Sequence, residues 1–181
     1  MTRMTVIDRK DKKRFKARLI AEALVGIRLL LSFIVVYLGV AYQGTFPSEG
    51  LKVLLILNMI GWTTDFLDGP LARYSNLPAW YLGEREFIVD LFFAWANAVA
   101  LSVMGVFPLG WLVGYFVIYL LVYWGIPMKL VSMLFAAPVE ALPLFTAWVV
   151  TPLWALGYLI WVVVCFILKK TRVVQVLKEI T

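Results

Sequence analysis

Thr64 to Phe93, TDFLDGPLARYSNLPAWYLGEREFIVDLFF, holds five of the eleven acidic residues, Asp65, Asp68, Glu84, Glu86 and Asp90, between sequence apolar enough to sit in lipid. Within it, SNLPAW is turn chemistry, with Ser, Asn and Pro where a helix stops. One apolar run ends near Ala72, and a second begins near Arg85. The stretch therefore reads as a hairpin between two membrane spans, with its carboxylates at or near the turn.

The rest of the chain agrees. Of 181 residues, 63% are hydrophobic and only 15% charged, against roughly 25% charged in a typical globular chain. This composition predicts an all-α integral membrane protein. Eight of the seventeen Lys and Arg residues lie between Arg3 and Arg18, and Lys169, Lys170, Arg172 and Lys178 close the chain. Both basic groups abut apolar segments, which argues for juxtamembrane charge meeting anionic lipid instead of nucleic acid. The apolar run after the first basic segment is too long for a signal-peptide core and lacks a small-residue cleavage site, so no cleaved leader is expected. Cys165 is the single cysteine and can form no internal disulfide. With no histidine, His-based triads and His-ligated zinc are excluded, and any metal must be held by oxygen.

The apolar windows predict a bundle of six transmembrane helices: about Leu19–Tyr42, Leu51–Ala72, Arg85–Val106, Leu109–Ile126, Leu130–Val150 and Pro152–Leu168. Breaks fall at GTFPSEG, SNLPAW, FPLG and GIPMK, with a very tight one at Thr151-Pro152. The expected organisation is a basic N-terminal segment (1–18), one transmembrane domain (19–168) and a basic C-terminal tail (169–181). Six crossings put both tails on the cytoplasmic side by the positive-inside rule. Arg73, Arg85 and Lys129 then share that side, and so does the acidic hairpin. The expected location is a cell membrane, crossed several times, with the site at its cytoplasmic face.

On a helix each residue advances about 100°. Asp65, Asp68, Gly69 and Ala72 share one arc, and Glu86 and Asp90, four apart, share a face of the third span. Two carboxylate faces can then oppose each other across the hairpin. Gathering like charges in a membrane is unfavourable unless cations or protons neutralise them. Hard oxygen ligands suit Mg²⁺, Mn²⁺ or Ca²⁺. A glycine beside such a site suggests phosphate chemistry, for which two metals clamping a diphosphate are a recurring solution. Pro70 is tolerable because it lies near the end of its span. The plainer alternative, end charges that cap helices and pair with Arg73 or Arg85, needs fewer acids than the hairpin supplies. Glu84 does read that way, as a cap on the third span.

At these residues the chain resembles the CDP-alcohol phosphotransferase family, whose signature is D-x-x-D-G-x-x-A-R, eight residues, G, three residues, D, three residues, D. Asp65, Asp68, Gly69, Ala72 and Arg73 match the first half without a gap. The second half falls on Leu82, Glu86 and Asp90, with Gly83 one place after the glycine position. TDFLDG, and GIRLLLS in the first span, resemble the phosphatidylglycerophosphate synthase branch of that family. The resemblance implies a six-helix bundle, usually dimeric, that transfers a phospho-substituted group from a CDP-linked donor such as CDP-diacylglycerol to an alcohol hydroxyl, releasing CMP. It implies two Mg²⁺ or Mn²⁺ ions on Asp65, Asp68, Glu86 and Asp90, with Asp90 as general base. Gly69, Ala72 and Gly83 would make room for the nucleotide, and Arg73 would lie near its phosphates. Glu replaces Asp at the third acid and Leu82 stands where the family has glycine. These departures support a competing reading, a non-catalytic relative that binds CDP-lipid or metal as a membrane interaction partner.

Three further positions stand out. Glu22 and Arg28 are ionisable groups inside the first span, where a function or an intramembrane pair is expected. Glu140 lies between Pro138 and Pro143 in the fifth span and suggests a broken-helix cavity. The eight Trp residues read as an interfacial belt. An ion or proton relay fits less well, because the acids cluster at one face instead of threading the bundle.

Overall fold

The computed structural model describes residues 9–44, 47–125 and 129–180, excluding the side chains of residues 9, 10, 47, 129, 130, 166 and 168–180. The described residues are helical throughout, apart from the turns: α1 Arg9–Ala41, α2 Pro47–Ser75, α3 Glu86–Val103, α4 Leu109–Gly125, α5 Lys129–Val150 and α6 Pro152–Ile180. A single 3-10 turn, Gly83–Arg85, leads into α3. Four segments are long and apolar enough to cross a bilayer: Asp11–Ala41, Ser48–Ser75, Gly83–Val103 and Val131–Val150. Leu109–Gly125 and Pro152–Cys165 are apolar but shorter.

The boundaries follow local chemistry. From Arg9, the first described residue, α1 carries the second half of the basic segment unbroken into the first apolar window. α2 runs through Pro70 and ends where Asn76 adopts φ +51°, a left-handed conformation that Asn tolerates. Ser75 secures that end, its hydroxyl donating to Ala72 O (2.6 Å) and accepting from Leu77 N–H (3.2 Å). α3 stops at Val103, before the expected Val106, because Gly105 turns to φ +81°. The Gly105 and Val106 N–H groups then reach back to Ser102 and Leu101 carbonyls at 3.0 Å each, a Schellman closure that favours glycine there. Only Thr151 separates α5 from α6, and Pro152 opens the new helix, where a missing N–H costs nothing. The break segments at residues 45–46 and 126–128, the first eight residues and the side chains of Lys129 and the C-terminal cluster lie outside the described residues.

α1 packs along both α2 and α3, and α5 leans on α2, α3 and α6. The buried stripe of α1 runs through Ala17, Ala21, Val25, Arg28, Ser32 and Val35, the spacing of one helix face. At its far end Gly39 meets α3 so closely that a Cβ would lie 2.7 Å from Ala100 Cα. Small residues that let backbones approach are the usual means of packing helices where lipid offers no hydrophobic drive. Leu51, Leu54, Leu55, Leu101 and Ala147 fill the core beside that crossing. α4 is peripheral, with Trp111, Leu121 and Trp124 exposed, as suits a surface facing acyl chains.

Candidate metal centre

Arg28 organises the site. It comes from the middle of α1, is almost fully buried, and turns its guanidinium toward three aspartates on two other helices. Nη2 donates to Asp68 Oδ2 at 2.5 Å, Nη1 to Asp90 Oδ1, and Asp65 Oδ1 lies 3.7 Å from Nη1. Nε reaches Thr64 Oγ1 at 3.5 Å. The hairpin expected from sequence therefore has a third member: α1 lies against both acid-bearing helices and supplies the cation between them.

One guanidinium does not balance the cluster. Asp65, Asp68 and Glu86 each present a carboxylate oxygen within 4.8 Å of the other two. Asp68 is buried, with 3% of its surface exposed, and its Oδ1 has no hydrogen-bond partner among the described residues. A buried carboxylate oxygen without donor or cation is costly, and such exceptions call for a specific explanation. The free oxygen, two neighbouring carboxylates and no nitrogen or sulfur donor make a set suited to a hard divalent cation. Asp65, Asp68 and Glu86 thus come together as the sequence periodicity predicts, and Asp90 joins them through Arg28.

Below the acids, Asn58 Nδ2 donates to Asn97 Oδ1 at 2.6 Å, bridging α2 and α3. Each amide also donates to the carbonyl four residues back, Leu54 O (2.9 Å) and Phe93 O (2.8 Å). Nothing local in the sequence marks this pair, whose partners lie 39 residues apart.

Above the acids, the loop between α2 and α3 is tied to α1 by Glu22. Its carboxylate pairs with Arg18 and accepts the backbone N–H groups of Trp80 (2.8 Å) and Gly83 (2.9 Å). Glu22 is paired, though with Arg18 of the basic segment, while Arg28 inside the span pairs with the aspartates instead. Gly83 belongs to this latch. A Cβ there would lie 2.3 Å from Arg18 Nη2 and 2.6 Å from Glu22 Oε1, both held in place by bonds. Leu82 turns toward α1, its Cδ1 3.5 Å from where a Cβ would stand on Gly26, so that glycine receives the larger side chain.

The remaining positions lie around the cluster. The atoms nearest a Cβ built on Gly69 belong to the Arg73 guanidinium, at 3.4 Å. Ala72 and Arg73 line a shallow depression at the end of α2 with Asn76 and Pro78. Arg85 stacks over the Tyr81 ring at 3.6 Å. Glu84 is a correction: it lies in the 3-10 turn, and α3 opens at Glu86 behind Arg85 as N-cap without a side-chain cap hydrogen bond, because that turn already supplies the leading residues. Comparison with family models, with curated proteins and with solved structures found no match to this chain.

Proposed function

We propose that this chain is a membrane-embedded, metal-dependent transferase that moves a phospho-substituted group, such as phosphatidyl, from a CDP-linked donor to an alcohol and releases CMP. The reading is supported above all by the unbonded, buried Asp68 Oδ1 within a three-carboxylate set, inside a chain carrying most of the D-x-x-D-G-x-x-A-R signature. Asp65, Asp68 and Glu86 would hold a Mg²⁺ or Mn²⁺ ion, which when bound supplies positive charge against the diphosphate oxygens. Asp90 keeps Oδ1 on Arg28, and its other oxygen has no bond among the described residues, leaving it able to take the acceptor proton. The acceptor oxygen forms a bond to the donor's distal phosphorus. The bond from that phosphorus to the CMP oxygen breaks, and CMP leaves with the electron pair. Gly69, Ala72 and Arg73 would lie beside the nucleotide, whereas Gly83 would act through the Glu22 latch instead of touching it.

In this proposal the four long helices and the two shorter apolar ones all cross the membrane. Both basic ends then lie on the cytoplasmic side, where water-soluble CMP can leave. The test is CMP release from CDP-diacylglycerol by purified protein with Mg²⁺ or Mn²⁺ across a panel of alcohols. Wild-type protein is expected to release CMP, and Asp90→Asn to lower the rate by about 10²–10⁴-fold with unchanged helicity. Undiminished turnover in Asp90→Asn would remove Asp90 from the chemistry.

A non-catalytic relative is the second reading, favoured by Arg28 standing among the same acids and partly neutralising them. Stabilisation by CDP-diacylglycerol and metal, with no CMP released from any acceptor, would establish it.

A further inference from the structure

Next to the acids a cavity of about 240 Å³ opens between α1, α2, α3 and α5. It is smaller than the roughly 300–1,000 Å³ of sites for drug-sized ligands, so its occupant is a small molecule. Three carboxylates line it, Asp65, Asp90 and Glu140, together with Asn58 and the aromatic Trp62. Arg28 is the one basic residue among the described lining, and its guanidinium is already engaged by Asp68, Asp90, Asp65 and Thr64. Glu140 has no cationic partner among the described residues. Asn58 spends its amide hydrogens on Leu54 O and Asn97 Oδ1, so what it offers the cavity is a carbonyl oxygen. The lining thus offers acceptors and negative charge, and it holds no uncommitted cation for a phosphate.

We propose that this cavity receives the acceptor alcohol, and that the acceptor is a small amino alcohol whose ammonium group is held by Glu140 while its hydroxyl faces Asp90. The proposal rests on the transferase reading and narrows it. An ammonium brings three donors and the charge that Glu140 lacks, and a nearby indole adds to cation binding. A phosphorylated alcohol would set its dianion against Asp90 and Glu140, the two lining acids not assigned to the metal, which like-charge repulsion in a poorly solvated site opposes. Among the described residues, Arg73 and Arg85, cations that would suit such an acceptor, lie instead beside Gly69 and over the Tyr81 ring.

The experiment compares ethanolamine, glycerol and glycerol 3-phosphate as acceptors for CMP release from CDP-diacylglycerol, with wild-type protein and with Glu140→Gln. The expected order is ethanolamine, then glycerol, then glycerol 3-phosphate. The ethanolamine-to-glycerol ratio of kcat/KM should fall about tenfold in Glu140→Gln, the usual scale for losing one charge-assisted contact. A preference for glycerol 3-phosphate, or an unchanged ratio in the variant, would overturn the inference and leave the transferase reading standing. No CMP from any acceptor would overturn the transferase reading, and binding then decides the cavity. Ethanolamine, but not glycerol 3-phosphate, raising the melting temperature of wild type and not of Glu140→Gln would support it; equal or absent shifts would sink it.

Discussion

Along α1, Arg28 and Gly39 meet the same neighbouring helices in opposite ways. At Arg28, α1 reaches across to Asp68 on α2 and Asp90 on α3 through a long charged side chain. At Gly39 it has no side chain, and α3 comes close enough for a Cβ to collide with the Ala100 backbone. The Gly39 end is packed by Leu51, Leu54, Leu55 and Leu101, which are wholly buried. The Arg28 end is held by charges that do not cancel, so its energy depends on what else is bound. The bundle thus has close apolar packing at one end of α1 and uncompensated charge at the other.

This contrast can be broken experimentally, and the largest effect should come from Arg28. Arg28→Gln strands Asp68 and Asp90, and leaving a buried charge unpaired costs about 3–5 kcal/mol. Denaturation in detergent without divalent ions should show that loss, and Mn²⁺ should recover part of it by replacing the missing positive charge. At the packed end, Gly39→Val drives a branched side chain into Ala100 and should cost about 1–3 kcal/mol, the range for overpacking. Mn²⁺ should recover none of that loss. The smallest effect belongs to the exposed Glu49–Lys52 pair, 2.5 Å apart at the start of α2. Glu49→Gln should change the melting transition by no more than about 0.5 kcal/mol, as expected for surface ion pairs. Equal rescue of Arg28→Gln and Gly39→Val by Mn²⁺ would dissolve the distinction between the two ends.

The sequence discloses these two regions unequally. Asp65 and Asp68 are legible because three residues along a helix return to the same face, and Glu86 with Asp90 because four do. The helices themselves follow from apolar windows bounded by SNLPAW and FPLG, although Gly105 ends α3 earlier than its window suggests. Arg28 and Glu22 stand out as charges inside a span, and Arg18 at four residues' spacing is a legible partner for Glu22, but the partners of Arg28 and the backbone partners of Glu22 are not. Arg28 meets residues 40 and 62 positions away, and the register of α1 against α2 and α3 leaves no local periodicity. Glu22 binds backbone N–H groups, which every residue but proline has, so no side-chain pattern points to it. Gly83 illustrates the same limit: its position beside the signature suggests room for a nucleotide, whereas in the fold it makes room for the Arg18–Glu22 pair. Glu84 looks like a cap because it precedes an apolar run, and a 3-10 turn takes that role instead.

Mn²⁺ binding to the purified protein, followed by electron paramagnetic resonance, tests the acid cluster most directly when wild type and Asp68→Asn are titrated side by side. Saturable binding in wild type that is lost or strongly weakened in Asp68→Asn is the predicted result. Indistinguishable titrations, or no saturable binding in wild type, would contradict the assignment of Asp65, Asp68 and Glu86 as a metal centre.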